Sequence, residues 1–347
     1  MPLNSNSMAI PTRFLGGSAA NVSVGCMGLG LMRFSWTNQP ILPDEEIFAT
    51  LKEAADRGVT YWNSASFYGA ADPLSNIKLL GRFFAKYPEY IDKITIGVKG
   101  GFHGIGDLSR TDCSEENLRF ELNEIRKCLG SKKIDIYGPG RKDMSRPQEV
   151  TMQTLHKLQK EGLFSHIGLS EVNGATVRAS HAVCPIATVE VEYNPFTLDI
   201  EHNDVMAACR DLDIAIVAYS PLGWGFFTGA TKGAAGEALQ QSRGMFERFN
   251  GDNFHKNAAL ADQIEALASK HGYGPTELVL AWELQQYPKL IPIPGTTKTP
   301  NLLKNIRGAH VSLSPELAAE FRRLVNDLSA QVAGGRYNAY LRDTLSR

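Results

Sequence analysis

The 347-residue sequence contains no run of ~18 uninterrupted apolar residues, the length a helix needs to cross a bilayer, so no membrane span is expected. It carries almost no net charge: 36 Lys and Arg against 37 Asp and Glu leave −1. A chain so balanced exerts no bulk pull on nucleic acid or anionic lipid, and neither is expected as a partner. Its five cysteines are scattered, with no CxxC pair and no Cys/His cluster at zinc-ligand spacing. That pattern argues against a disulfide framework and predicts reduced, mostly buried thiols and no bound metal. Met1 to Thr12 is polar and small, without the basic-then-apolar order of a secretory signal, so a cytoplasmic location is expected. Linkers, repeats and low-complexity tracts are also missing. The simplest reading is one unit over 1–347, with a barrel core at 12–330 and a tail at 331–347.

What is present is an alternation. Short apolar runs fall at Val24–Met32, Val59–Trp62, Lys93–Lys99, Lys133–Tyr137, His166–Leu169, Ile186–Val191, Ile214–Ala218 and Leu290–Pro294. Between and after them lie helical patterns at Asp44–Arg57, Leu74–Tyr87, Ser114–Leu129, Pro147–Glu161, Gly174–His181, Asn203–Leu212, Asn257–Lys270 and Pro300–Ile306. Ser114 with Asn117 makes an imperfect capping box, since Asn stands where Glu or Gln is usual. Strands separated by helices run parallel, because each crossover returns the chain to the same edge. Eight strand-then-helix units predict a closed (β/α)8 TIM barrel, with a doubly wound open sheet as the alternative. Phe14–Ser23 reads as a hairpin capping the barrel bottom, Pro221–Lys256 as a long functional loop after the seventh strand, and Ser314–Leu328 as an extra C-terminal helix.

In such barrels the reactive residues gather at the C-terminal strand ends. Tyr68 and Lys99 fall at the ends of neighbouring strands. An ammonium beside a phenol lowers the phenol's pKa, and such a phenol can protonate a developing alkoxide. A rim tyrosine and a solvated lysine are the alternative. The eighth strand runs into a glycine-containing turn before a helix, a place where backbone N–H groups attract phosphate, and Lys298 adds charge there.

At these residues the sequence resembles the aldo-keto reductases. The segments are GVTYWNSASFYG (58–69), GVKGG (97–101), IGLSEV (167–172), VEVEYNP (189–195), AYSPLGWG (218–225) and IPIPGTTK (291–298), with Asn305. NSASFYG, IDIYGPGRKD (134–143) and GLSEV most resemble the fungal pyridoxal reductase branch. The resemblance implies hydride transfer from NADPH to an aldehyde or ketone, with Tyr68 as general acid, Lys99 tuning it, and Asn63 beside Lys99. It implies that Tyr219 stacks on the nicotinamide and that Ser170, Glu171 and Glu190 hold the carboxamide, Glu190 standing where Gln is usual. It places Ser220, Leu222, Gly223 and Gly225 along the pyrophosphate, Gly295, Thr297 and Lys298 near the 2′-phosphate, and Asn305 at the adenine.

Two departures stand out against that family. Asn63 occupies the usual Asp position, which is expected to leave Lys99 with a stronger pull on Tyr68. Gly140 occupies the usual His position, which is expected to remove a donor and widen the pocket. His103 and Arg141 are candidates for the missing donor, although Arg141 could instead pair with Asp143. Met32, Trp36, Phe67, Phe102 and Trp224 are expected to line an apolar substrate pocket. A redox-neutral reaction on the same barrel, or a non-catalytic NADPH-binding subunit, are the alternatives to a reductase.

Overall fold

The structure is a computed structural model that describes residues 9–37, 40–243 and 246–337. Two short strands, β1 (Thr12–Phe14) and β2 (Ser23–Gly25), pair antiparallel at the start. Eight parallel strands follow: β3 (Leu29–Gly30), β4 (Tyr61–Ala65), β5 (Thr95–Gly100), β8 (Ile136–Pro139), β9 (His166–Ser170), β10 (Ile186–Glu192), β11 (Ala215–Tyr219) and β12 (Leu290–Pro292), adjacent in that order. A small antiparallel hairpin, β6 (Phe102–His103) with β7 (Asp107–Thr111), leaves the end of β5. The sheet closes on itself: the Gly28 N–H donates to Pro292 O at 2.9 Å, and Gly30 bridges Gly295 in parallel. It is a (β/α)8 barrel with an N-terminal hairpin.

The helices are α1 (Asp44–Asp56), α2 (Ser75–Lys86), α3 (Glu115–Leu129), α4 (Gln148–Lys160), α5 (Gly174–Val183), α6 (Val205–Asp211), α7 (Gly233–Arg243), α8 (Gly251–Lys270), α9 (Pro275–Gln286), α10 (Thr299–Ala309) and α11 (Pro315–Gln331). The Ser114 hydroxyl accepts from Asn117 N at 3.3 Å, so the cap forms. The Asn117 amide is used elsewhere. It donates to Phe102 O and Asp112 O and accepts from Gly104 N, tying the β6–β7 hairpin to α3.

Inside the barrel, Tyr61, Ile136, Ala187, Ala215, Val217, Ile291 and Ile293 form a core cluster. Leu15, Ala19 and Val24 from the first hairpin plug it from below. The plug is the turn between β1 and β2 together with Val24 of β2, and the hairpin begins two residues earlier and ends two later than expected. Val24–Met32 is not one strand. It divides between β2 and β3 because the chain turns at glycines into the barrel wall; a Cβ on Gly28 would meet Tyr61 O at 2.5 Å.

Two further differences lie after β11. The seventh barrel helix is α9, which packs on β12 and α10, and not the expected Asn257–Lys270, which belongs to α8 and lies against α11 and the turn 223–228. Leu278 to Glu283 is buried throughout, with Trp282 1 % exposed. A helix covered on both sides has no polar face, so it gives no amphipathic period. The segment Pro221–Lys256 likewise contains α7 and the start of α8 and is no plain loop. Four of the five cysteines are buried, and all are free. No helix among the described residues is long and apolar enough to cross a membrane, and those residues hold no group of three metal-ligating side chains.

Candidate active site

Strand alternation brings the site together. In the register Ala65 lies beside Lys99 on β4 and β5, and Thr188, Glu190 and Glu192 on β10 lie beside Ala215, Val217 and Tyr219 on β11. Alternate residues share a face. Asn63, Lys99 and Glu190 therefore point inward at the C-terminal mouth and meet. Lys99 Nζ donates to Asn63 Oδ1 at 2.7 Å and lies 2.8 Å from Glu190 Oε1 and 3.0 Å from Oε2. Asn63 Nδ2 donates to Glu190 Oε2 at 2.7 Å. The same ammonium lies 5.2 Å from the centre of the Tyr68 ring.

Electrostatics here differ from the sequence expectation. Asn63 was expected to leave Lys99 with a stronger pull on Tyr68. Instead Glu190 supplies a carboxylate, and the Tyr68 phenol rises above its ordinary value. Burial is the main cause, Lys99 opposes it, and Glu190 adds to the rise. Burial by itself would lower the Lys99 ammonium, but Glu190 and Tyr68 outweigh it and hold it above the ordinary range. Tyr68 therefore stays protonated through neutral pH.

Two buried polar residues on helices hold this arrangement, and the sequence reading missed both. Asn76 on α2 donates to Leu31 O and Ser35 Oγ and accepts from Ser64 Oγ; Ser35 in turn donates to Tyr68 O at 2.5 Å. Glu121 on α3 accepts from Ser66 Oγ at 2.5 Å, Gly101 N at 2.7 Å and the Tyr137 hydroxyl. They fasten the turns after β4 and β5, which carry Tyr68 and Phe102. Their polar character reads as an exposed helix face, so only their period against the apolar positions could have revealed them.

Above Tyr68 the aromatics cluster. Ring centres are 5.3 Å apart for Phe67 and Tyr68, 5.0 Å for Phe67 and Phe102, and 6.0 Å for Trp36 and Tyr68. Gly140 does not open the space beside them. A Cβ at that position would stand 3.0 Å from Phe102 Cε2 and 3.4 Å from Phe67, so the rings fill the room an imidazole would need. Gly140→His is therefore expected to lose about 1–3 kcal/mol through overpacking and gain no activity. Urea unfolding beside a rate assay checks this; a stable, faster variant would refute it.

The remaining pocket residues divide. His103 is 48 % exposed and bonded to Asp112 and Arg110 on the β6–β7 hairpin. Asp143 is engaged by Arg146, Ser145 and Cys113 N. Arg141 instead lies in the field of Tyr219, Tyr337 and Glu171, and Arg141 also acts on Tyr68. Met32 opens a short helical turn after β3, half-buried. Trp224 packs on Phe246 with ring centres 4.5 Å apart, under the Arg243 guanidinium.

The rim of β9 to β12 carries the residues matched to the dinucleotide. Ser220, Gly223, Trp224 and Gly225 have φ of 52°, 55°, 57° and 114°. The turn is closed by its own bonds, Gly223 N donating to Ser220 O and Gly225 N to Leu222 O, both at 2.9 Å. Leu222 lies within this turn. Gly295 faces Gly30 O, which a Cβ would approach to 3.0 Å. The Thr296 hydroxyl accepts from Lys298 N at 3.1 Å, turning the chain into α10, with Thr297 half-buried, Lys298 exposed at the mouth, and Asn305 buried.

One arrangement at this rim went unseen in the sequence. Arg336 Nη2 donates to Glu171 Oε1 and to the Tyr219 hydroxyl, both at 2.8 Å, and its Nε donates to Glu192 at 2.9 Å. The Tyr337 and Tyr219 hydroxyls are 2.7 Å apart. The segment is tied down by Asn257, which exchanges two bonds with Ala333, and by Glu247, which accepts from Gly335 N. Burial would raise the Glu171 carboxyl, but Arg336 and Arg141 overcome this and hold it below the usual range. Ser170 is buried next to Glu171 at the end of β9.

A closed barrel with a buried Tyr, Lys and carboxylate at its C-terminal mouth, beside a turn of left-handed residues, defines a class of barrel oxidoreductases. The chain belongs to the aldo/keto reductase family, whose sequence pattern matches residues 26–326. It is 34 % identical to a protein of Schizosaccharomyces pombe named probable pyridoxal reductase 2, covering 93 % of this chain and 97 % of that one. It is 36 % identical to another protein of that yeast, named aldo-keto reductase yakc [NADP(+)], over 95 % of each. Among solved structures, a glycerol dehydrogenase of Gluconobacter oxydans matches with a TM-score of 0.75 at 22 % identity, covering 97 % of this chain and 99 % of that one, a likeness of fold.

Proposed function

We propose that this chain is an NADPH-dependent reductase of an aldehyde or ketone, either a pyridoxal-type carbonyl or a secondary-metabolite carbonyl. The buried contact of Tyr68 with an ion-paired Lys99 is the observation that carries this reading. Bound NADPH supplies a hydride to the carbonyl carbon. Tyr68 gives its proton to the carbonyl oxygen. Lys99 stabilises the phenolate left behind. Ser170 and Glu171 orient the carboxamide and Tyr219 covers the nicotinamide ring. Ser220, Leu222, Gly223 and Gly225 bind the diphosphate, Gly295, Thr297 and Lys298 the 2′-phosphate, and Asn305 the adenine. Trp36, Phe67 and Phe102 exclude water around the substrate.

The redox-neutral alternative was raised by Asn63 and Gly140 together; the carboxylate of Glu190 beside Lys99 favours reduction. The direct test is loss of NADPH absorbance over a carbonyl panel that includes pyridoxal. No turnover of any member by protein that binds NADPH would sink the reading. For cofactor choice, Lys298→Ala is expected to weaken NADPH about tenfold, the loss of one exposed charge-assisted contact, and to leave NADH unchanged. Fluorescence titration of both cofactors checks it; equal affinity for NADPH before and after would refute the assignment.

A further inference from the structure

Glu190 is matched by resemblance to a carboxamide-holding position, yet its oxygens are engaged elsewhere. Both face Lys99, and one also accepts from Asn63. The Glu190 side chain is 9 % exposed and that of Lys99 11 %. We propose that Glu190 is the positioning residue of the acid site, holding and neutralising Lys99 behind Tyr68, so that Asn63 and Glu190 form an exchanged pair in which the carboxylate stands on β10 and the amide on β4. The inference rests on Tyr68 being the proton donor.

The geometry forbids either residue to change alone. Asn63 bridges its neighbours because it is an amide: the oxygen accepts from Lys99 and the nitrogen donates to Glu190. A carboxylate at 63 would set two acceptors 2.7 Å apart, and like charges at that distance cannot both ionise. Glutamine at 190 with Asn63 in place would leave a buried ammonium without a counter-ion. Exchanging both restores one carboxylate, one amide and the bond between them. The other titratable groups facing this cluster are Tyr68 above and Tyr61 below, with Arg141 acting on Tyr68 from the mouth. The Glu190 oxygens are thus taken by Lys99 and Asn63 and are not free for a carboxamide.

The test uses the full chain with Glu190→Gln, Asn63→Asp and the double exchange. Each single change is expected to lower kcat about 10²-fold, the lower end of what a positioned acid contributes. The double exchange is expected to return kcat to within about tenfold of the native protein, a coupling that independent sites do not show. A second readout needs no turnover: the phenolate absorbance of each protein minus that of its Tyr68→Phe counterpart. In the native protein and the double exchange the Tyr68 phenolate forms only above the ordinary tyrosine range, and Glu190→Gln shows it at lower pH because Lys99 is no longer neutralised.

A double exchange as inactive as the singles, with the phenolate unmoved, would overturn the proposal. So would a Glu190→Gln protein that only raises KM for NADPH, since Glu190 would then serve the carboxamide alone. If the singles do not fold, a folded double exchange supports the pairing and an unfolded one refutes it. If the native protein reduces no carbonyl but the optical titration moves as stated, the reductase reading fails and the pairing stands.

Discussion

Tyr68→Phe is expected to lower kcat for carbonyl reduction about 10³-fold, within the range a positioned general acid supplies. KM for NADPH should hardly change, because the proposed role of the hydroxyl is toward the substrate and the Phe ring keeps the contacts with Phe67 and Trp36. Such a profile, a fall in kcat at constant cofactor KM, marks an interaction made in the transition state. The acid is buried and its phenol lies above the ordinary value. Reduction should therefore persist through neutral pH, where the proton is in place. Alcohol oxidation, which needs the phenolate, should strengthen only as pH rises into the alkaline range. Steady-state rates in both directions across pH test this; a Tyr68→Phe protein of near-native kcat would reassign the acid.

The second large effect is expected at Arg336. Its side chain is 14 % exposed and meets Glu171 and Glu192, themselves 6 % and 1 % exposed. Arg336→Ala leaves both carboxylates without this partner, and breaking a buried pair from one side costs about 3–5 kcal/mol. Arg248 lies 3.6 Å from Glu192 and Arg141 acts on Glu171, which places the loss toward the lower end. The sign with pH follows from Glu171, whose carboxyl is held below the ordinary range. That stability is present above the unfolded-state pKa and fades as pH falls through the lowered one. The deficit of Arg336→Ala should be full at neutral pH and shrink below about pH 4, where the unfolded carboxyls protonate. Urea unfolding of both proteins at several pH values measures it. A deficit unchanged at acid pH would show that packing, and not charge, is what the arginine supplies.

The barrel was legible because each wall strand is a short apolar run bounded by glycine or a charged turn, and those runs survive at β4, β5 and β8 to β12. The first strand misled because Val24–Met32 is continuous in hydropathy but not in direction. Helix α9 escaped because burial on two sides erases the amphipathic period. Tyr68 and Lys99 were legible as strand-end residues; the partner of Lys99 was not. Glu190 lies 91 residues along the chain from it, and no local pattern reports such a distance. One signal was nonetheless present. In Thr188-Val189-Glu190-Val191-Glu192, the polar residues alternate with valines, which puts both glutamates on the barrel-interior side. A carboxylate facing inward there needs a cation, and Lys99 and Arg336 are those cations. Arg336 stayed hidden because the tail around Gly334 and Gly335 has no period, and its order comes from Asn257 and Glu247 on other segments.

The docked tail has a consequence for biogenesis. Arg336 follows Glu171 by 165 residues and Glu192 by 144, so a ribosome delivers both acids well before their counter-ion. Closing loops of that length is entropically slow, and the wall of the barrel can form first. Until that arginine docks, Glu171 and Glu192 have only Arg141 and Arg248 to offset their charge. The barrel wall can thus stand before the charges at Glu171 and Glu192 find their closest partner.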